Sequence, residues 1–200
     1  PDGRPWPWTA VRAPLLPRPP HVRWGRPINL FDGHSLAGWQ PVAGSADTWS
    51  AAAGVLTSRG SGADLCTTAR FHDFRLQLDF RCAPGANSGV YLRGRYEVQI
   101  EDDTEPEGPA ERTGGVYGYL APQPPAARVT GVWRRYDITL LGRWVSVRLD
   151  GVTRLRDQEI PGLTGGALDA DEGAPGPLML QGSEGGQVQF RRIVLTPVLG

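Results

Sequence analysis

The residues best suited to chemistry lie in one alternating segment, residues 87–102, with the sequence NSGVYLRGRYEVQIED. Its apolar residues alternate with polar ones, which is the pattern of a β-strand with two different faces. The polar face is predicted to carry Arg93, Glu97 and Gln99, with Tyr91 in the same phase. A carboxylate beside a guanidinium and a carboxamide can move a proton while its neighbours stabilise charge, so this face has the groups that general acid–base catalysis needs.

A second segment, FRLQLDFRC at residues 74–82, alternates in the same way and places Asp79 and Arg81 on its polar face. If the two segments are neighbours, their polar side chains lie on one side of one sheet. One interpretation is a solvated outer face, which antiparallel sheets commonly have. The other is a sugar-binding site, in which an aromatic ring lies beside charged groups and the Arg side chains shift the protonation of the carboxylates.

Other catalytic signatures are absent from the sequence. It contains no Gly-x-Ser-x-Gly elbow, phosphate-binding loop, dinucleotide fingerprint or His-Glu-x-x-His motif. Its three histidines, His21, His34 and His72, are scattered between a Pro-rich segment, a turn and a strand edge. This distribution disfavours both a three-His zinc centre and a His-based catalytic triad.

The composition indicates a folded domain with many short strands. The chain has 200 residues, 40% of them hydrophobic, with 7 Trp, and its 27 Gly and 19 Pro follow no collagen-like period. The 21 basic residues, all Arg, balance 21 acidic ones. No basic stretch with interleaved aromatics suggests a nucleic-acid partner, and no apolar run approaches the roughly 18 residues of a membrane span.

The elements that must position the polar residues are strands. Turn signals at Gly54, at Leu141-Gly142-Arg143 and at Asp150-Gly151 separate short alternating segments, and no window shows a helical stripe. This pattern predicts an all-β fold, an antiparallel sandwich of two sheets.

The chain divides into two parts. Residues 1–27 hold 8 prolines and no periodicity, which predicts an extended arm, whereas residues 28–200 form the single β-sandwich domain. The arm carries Trp6, Trp8 and Trp24, which are costly to leave in water. We expect it to pack against the domain, or to serve as a lid or as an arm that joins two copies of the chain.

Two long loops, residues 102–115 and 156–177, are rich in Pro and Gly. The second carries Asp169, Asp171 and Glu172, but their spacing lacks the later glutamate of a twelve-residue calcium loop. We therefore expect a solvated acidic loop there.

The two cysteines, Cys66 and Cys82, are predicted to be free and buried. If residues 62–68 and 73–82 form a hairpin, the two thiols lie about 20 Å apart along it, too far for a disulfide.

Six segments along the chain carry a resemblance to a known family. The segments PINLFDGHSLAGWQ, FHDFRLQLDFR, NSGVYLRGRYEVQI, GGVYGYLAP, GVWRRYDITLLGRWVSVRLDGV and GPLMLQGSEGGQVQFRRIVLTP occur in one order. Together they resemble the 3-keto-disaccharide hydrolase domain family over about residues 27–197. The resemblance implies a concanavalin A-like β-sandwich, or jelly roll, with its site on the concave sheet.

The resemblance also implies an activity, the cleavage of glycosides whose sugar carries a ketone at carbon 3. Glu97 is then the base that removes the proton from carbon 2, Arg93 stabilises the enolate, and Tyr117 stacks on the ring or donates a proton. Asn87 either contributes to the site or supplies a turn. The residues expected to bind the sugar are Asp79, Tyr91, Gln99 and Gln181.

The chain departs from this pattern where many relatives have a histidine near the end, since Glu184 stands there. This difference keeps a second hypothesis open, a non-catalytic carbohydrate-binding module that uses the same concave face; a structural adhesion domain is a third. No cofactor is assigned, although a divalent cation could stabilise the enolate instead of Arg93. A sugar or glycoside is the expected partner, and a secreted or periplasmic location is what the resemblance suggests.

Overall fold

The computed structural model describes residues 14–102 and 108–199. Apart from one 3-10 turn at Pro109–Glu111, the regular structure of these residues is β-strand. The strands are β1 Ile28–Asn29, β2 Trp39–Pro41, β3 Trp49–Ala52, β4 Val55–Arg59, β5 Leu65–Thr67, β6 Phe74–Cys82, β7 Ala86–Leu92, β8 Tyr96–Glu101, β9 Arg134–Leu141, β10 Trp144–Leu149, β11 Val152–Glu159, β12 Met179–Leu180, β13 Glu184–Gly185 and β14 Gln187–Pro197.

The strands form two antiparallel sheets, which confirms the predicted fold class. The eight-stranded sheet has the order β11-β10-β9-β6-β14-β4-β3, with β1 also paired to β14. The six-stranded sheet has the order β13-β7-β12-β5-β2, with β8 also paired to β7. Consecutive strands β6 and β7 lie in different sheets, so the chain crosses the sandwich between the two segments that the sequence suggested might be neighbours.

The core lies between the sheets and is built by alternation. From β6 the side chains of Phe74, Leu76 and Leu78 point inward and are at most 1% exposed. From β8, Tyr96 and Val98 meet them from the six-stranded sheet and are fully buried. Each such side chain contributes roughly 1.5–3 kcal/mol by leaving water, so the two strands are strongly held in their register.

The predicted tight turns are confirmed. Ala53-Gly54 joins β3 to β4, and Asp150-Gly151 joins β10 to β11. All four residues have positive φ, at 51°, 79°, 53° and 79° in chain order. Two-residue hairpin loops of this kind require φ > 0 at both positions, which glycine adopts without steric cost.

Both thiols are free and buried, as predicted. The hairpin from which their separation was estimated does not exist, because β5 belongs to the six-stranded sheet and β6 to the eight-stranded one. Cys82 points into the core, whereas Cys66 packs in a separate small cluster on the outer face of the six-stranded sheet.

The described part of the arm, residues 14–27, lies against the domain. Trp24 forms a β-bridge with Val198, and Arg18 makes an ion pair with Asp157 at 2.7 Å. The predictions for Trp6 and Trp8 fall outside the described residues.

The expectation of a solvated acidic loop is wrong for Glu172, which lies within residues 160–178, hereafter the 160–178 loop. Glu172 is 5% exposed. Its carboxylate accepts hydrogen bonds from the Arg143 guanidinium at 2.9 Å and from the Tyr96 hydroxyl at 2.5 Å. The side chain thus anchors the loop to the end of the sandwich, where a buried guanidinium needs a counter-charge.

Replacing Glu172 by Gln should destabilise the fold by about 3 kcal/mol, because the substitution leaves the Arg143 cation buried without a counter-charge. Urea unfolding followed by tryptophan fluorescence measures the change. The matched control is Asp157→Asn, which breaks the exposed Arg18–Asp157 pair and should cost less than about 1 kcal/mol. Equal losses in the two variants would contradict the anchoring role of Glu172.

Candidate active site

A single row of side chains crosses the outer face of the six-stranded sheet. Glu97 on β8 lies opposite Tyr91 on β7, and Tyr91 lies opposite Met179 on β12. The row continues through Cys66 on β5 to Gln40 on β2. Although the row faces away from the core, its three central side chains are at most 5% exposed. The 160–178 loop therefore covers this part of the sheet.

The end of the row at Glu97 opens into a polar pocket of about 290 Å³. Strands β7, β8 and β13, the segment after β12, the segment after the 3-10 turn and the 160–178 loop all contribute to it. The pocket is lined by Asn87, Tyr91, Glu97, Tyr117, Gly165, Gly166, Gln181 and Glu184. Of the seven residues predicted for the site, Glu97, Tyr91, Tyr117 and Gln181 line this pocket.

A larger groove of about 570 Å³ lies elsewhere, between the arm and strands β10 and β11. Its walls are largely apolar, formed by Leu15, Leu16 and Trp144, and its Asp157 is engaged by Arg18. The smaller pocket is the better candidate active site, because it holds a buried carboxylate with hydroxyl and carboxamide groups around it.

Glu97 is held in one place by its neighbours. Glu97 is only 3% exposed, and its carboxylate oxygen Oε2 accepts a hydrogen bond from the Tyr91 hydroxyl at 2.9 Å. Gly89 lies directly beneath it, since a Cβ atom at that position would be 2.2 Å from Glu97 Oε1. The glycine of the Asn-Ser-Gly motif is thus required by the close approach of this side chain.

Gln99 is 1% exposed and supports Glu97 from behind. With its carboxamide nitrogen turned toward acceptors, Gln99 donates to Glu97 Oε1 at 3.2 Å and to the Ser88 carbonyl at 3.1 Å. Both oxygens of the carboxylate therefore have a donor. Gln99 was predicted to bind the sugar, but the structure places it against Glu97 and outside the pocket lining.

The electrostatics of the pocket favour a protonatable carboxylate. Burial raises the pKa of Glu97 to about 7, and the hydrogen bond from Tyr91 lowers it only in part. The negative charges of Asp64 and Glu184 also raise this pKa. Burial likewise raises the pKa of Tyr91, so the phenol keeps its proton. A carboxylate that titrates near neutral pH is suited to accept and return a proton.

Two polar groups face the pocket beside Glu97. Gln181 extends from the segment after β12, and its Oε1 is buried without a hydrogen-bond partner among the described residues. Tyr117 lies on the other side, where its backbone nitrogen donates to the Glu97 carbonyl at 3.1 Å. An unsatisfied buried acceptor beside a pocket is a position that a ligand hydroxyl or a water can satisfy.

Arg93 does not lie in the pocket, contrary to the expectation of one continuous polar face. It begins the turn between β7 and β8 with φ at 55°, and this left-handed conformation interrupts the alternation. Its guanidinium is fully buried at the end of the sandwich and donates to the Gly142 carbonyl at 2.8 Å and toward the Tyr96 hydroxyl at 3.3 Å.

Asp79 also lies away from the pocket. It is on β6, on the outer face of the eight-stranded sheet, where it accepts hydrogen bonds from Arg135 at 2.7 Å and Arg191 at 3.1 Å. The prediction that β6 and β8 share one polar face is wrong, because the chain changes sheets between β6 and β7.

Sequence reasoning did not assign Gly165, Gly166 or Glu184 to the site. Glu184 lies opposite Asn87 in the β13–β7 pairing, which brings a terminal segment beside the Asn-Ser-Gly motif. The signal for Glu184 was its place in the LQGSEGG segment, whereas the only signal for the two glycines was their occurrence in a long loop.

Within residues 14–102 and 108–199, no three His, Cys, Asp or Glu side chains are grouped so that they could hold a metal ion. In the same residues no helix is long and apolar enough to cross a membrane.

The two antiparallel sheets give the chain a concanavalin-like β-sandwich fold. A solved structure of a "putative glycosyl hydrolase" from Parabacteroides distasonis is similar, with 28% identity, a TM-score of 0.74 and 94% of each chain covered. The β-glucanase of Bacillus licheniformis shares the fold, with 10% identity and a TM-score of 0.55 over 86% of this chain and 98% of the glucanase.

The carbohydrate-binding module CBM66 of Bacillus subtilis is more distant, with 13% identity and a TM-score of 0.50 over 78% of this chain and 93% of the module. Among curated proteins, no sequence matches this chain. The model of the 3-keto-alpha-glucoside-1,2-lyase-like domain matches residues 26–196. The chain therefore belongs to this carbohydrate-active family, as the resemblance implied.

The pKa of Glu97 predicts a pH-dependent stability. Between pH 4.5, the ordinary pKa of a glutamate, and about 7, the folded protein holds a proton that the unfolded chain has lost. The free energy of unfolding therefore falls as pH rises through this window. Glu97→Gln should lack this loss. The free energy of unfolding of the variant minus that of the parent should therefore increase by about 3 kcal/mol from pH 4 to pH 8.5. Urea unfolding of parent and variant at pH 4 and at pH 8.5 measures this quantity. If the variant differs from the parent by the same free energy at both pH values, the raised pKa is contradicted.

Proposed function

We propose that this protein is a lyase or hydrolase that cleaves 3-keto-glycosides. The observation that carries the proposal is Glu97, a buried carboxylate whose pKa is raised to about 7 and which lies at the wall of a polar pocket of about 290 Å³. Membership of the 3-keto-alpha-glucoside-1,2-lyase-like family supports the substrate class.

The proposed reaction begins with proton abstraction. The ketone at carbon 3 acidifies the hydrogen on carbon 2, and the Glu97 carboxylate accepts that proton while the electron pair moves into an enolate. The enolate then returns its electrons toward carbon 1, where the bond to the aglycone breaks and a carbon 1–carbon 2 double bond forms. Addition of water to this double bond completes hydrolysis, and without that addition the protein acts as a lyase.

The charge of the enolate needs hydrogen-bond donors. Arg93 was expected to supply them, but its guanidinium is directed to the Gly142 carbonyl. We assign this role to groups that line the pocket, the carboxamides of Asn87 and Gln181. Tyr117, which also lines the pocket, is placed to stack on the sugar ring or to protonate the departing aglycone. A divalent cation would be an alternative source of positive charge for the enolate.

The test is release of p-nitrophenol from its 3-keto-glucoside by the purified chain. The rate should rise with pH and level off above about pH 7, because the base must be ionised. Glu97→Gln should lower the turnover number by roughly 10²- to 10⁴-fold, the contribution typical of a general base. Glu159→Gln, which removes an exposed carboxylate outside the pocket, is the matched control and should turn over like the parent. Unchanged turnover in Glu97→Gln, with parental activity present, would remove Glu97 from this role.

A second candidate function is a non-catalytic carbohydrate-binding module. The likeness to CBM66 in fold and the presence of Glu184 where many relatives have a histidine favour it. Calorimetry measures binding of the 3-keto-glucoside. Binding without release of the aglycone at any pH, with or without added Mg²⁺ or Ca²⁺, would support the binding module. Loss of release on addition of a chelator would show that a cation takes part.

A further inference from the structure

The hydroxyl of Tyr91 lies between two acceptors that belong to different parts of the site. It is 2.9 Å from Glu97 Oε2 and 2.8 Å from the carbonyl oxygen of Gly165 in the 160–178 loop. A phenol has one proton, so it can donate to only one of these oxygens at a time. Since a carbonyl and an ionised carboxylate are both acceptors only, one of the two contacts lacks a proton whenever Glu97 is ionised.

Protonation of Glu97 resolves this conflict. A neutral carboxyl can donate its own proton to the phenolic oxygen, which frees the phenol proton for the Gly165 carbonyl. The chain of donors then runs from Glu97 through Tyr91 to the loop, and every contact is satisfied. One O–H bond forms in this step, on Glu97 with a proton taken from the solvent; the phenol keeps its own proton and rotates it from one acceptor to the other.

Apart from this hydrogen bond to Gly165, few contacts hold the segment at Gly165 and Gly166; one is the Ala167 backbone nitrogen, which donates to the Thr164 carbonyl at 3.3 Å. On one side, the backbone nitrogen of Thr164 donates to the Arg95 carbonyl at 3.1 Å; on the other, Leu168 donates to the Gly94 carbonyl at 2.8 Å. Between these fixed points, Gly165 and Gly166 are exposed and have no side chains to pack. Among the described residues, the Tyr91 hydroxyl is the one group that hydrogen-bonds the Gly165 carbonyl.

Among residues 14–102 and 108–199, no cation near the Tyr91–Glu97 pair would keep Glu97 ionised. The titratable groups that face the pair are Tyr117 from the segment after the 3-10 turn, Asp64 from the segment before β5 and Glu184 from β13. The 160–178 loop contributes only Thr164, the two glycines and Leu168 at this point. All of these groups are neutral or negative, so both protonation states of Glu97 are accessible.

We propose that Tyr91 couples the protonation of Glu97 to the anchoring of the Gly165–Gly166 segment over the pocket. With Glu97 ionised, the hydroxyl turns to the carboxylate, and water replaces it at the Gly165 carbonyl. With Glu97 protonated, the Tyr91 hydroxyl donates to the Gly165 carbonyl and holds the Gly165–Gly166 segment in place. If the proposed reaction is correct, the proton taken from carbon 2 closes the pocket over the enolate; the coupling itself is a property of the free protein.

Amide hydrogen exchange of Gly166 and Ala167, detected by NMR and corrected for the intrinsic effect of pH, tests the coupling. In the parent protein, protection should be about 2- to 10-fold higher at pH 5.5 than at pH 8.5, the change expected from gaining one neutral hydrogen bond. In Glu97→Gln, whose carboxamide donates permanently to Tyr91, protection should be high at both pH values. In Tyr91→Phe it should be low at both.

Tyr119→Phe is the matched control. It removes another tyrosine hydroxyl that donates to this loop, at the Leu163 carbonyl 3.2 Å away, so the pH dependence should persist in this variant. Equal protection at both pH values in the parent, or pH dependence that survives in Tyr91→Phe or Glu97→Gln, would overturn the coupling. Because no substrate is present, a failed aglycone-release assay would count against the proposed reaction alone.

Discussion

The burial of one carboxylate is the constraint on which the rest of the site depends. Glu97 is only 3% exposed, and an ionised carboxylate in such a place is stable only if donors approach both of its oxygens. Tyr91 and Gln99 are those donors. The absence of a side chain at Gly89 makes room for the carboxylate above the neighbouring strand. The same burial that makes Glu97 costly to ionise moves its pKa to about 7, where acid–base chemistry is possible.

The loop that covers this carboxylate is held by arginine side chains. Arg95, which is fully buried, donates to Asp169 at 2.7 Å and to the Ala174 carbonyl at 2.9 Å, and Arg143 binds Glu172. A planar guanidinium can bind a carboxylate and a carbonyl at once, which suits it to fasten a loop that lacks regular structure. Arg95 and Arg143 thus act through the loop, whereas the Arg93 guanidinium donates to the Gly142 carbonyl in the turn between β9 and β10.

The two sheets show that an alternating polar face is not by itself a site. On β6, Asp79 is only 4% exposed, but its carboxylate pairs with the guanidinium groups of Arg135, Arg191 and Arg192. On β8, Glu97 and Gln99 follow the same alternation but lie beneath a loop and are nearly inaccessible to water. The neighbours of the carboxylate separate the two cases, because the donors to Glu97 are a phenol and a carboxamide instead of arginine cations. The loop over Glu97 comes from a segment some seventy residues away in the chain, where the Gly165 carbonyl accepts a hydrogen bond from the Tyr91 hydroxyl.

The sequence alone determined the all-β sandwich, the tight turns at Gly54 and Asp150-Gly151, and the family, because alternation and turn chemistry are local properties of the chain. It also singled out Glu97, since the Asn-Ser-Gly and Tyr-Glu-φ-Gln-Ile segments adjoin in one hairpin. The tertiary structure decided which polar residues meet. Asp79 lies outside the pocket because the chain changes sheets between β6 and β7, and Arg93 lies outside it because of its left-handed turn conformation. The pairing of β13 with β7 places Glu184 at the pocket. These outcomes depend on long-range pairing and loop burial, and neither leaves a periodic signal in the sequence.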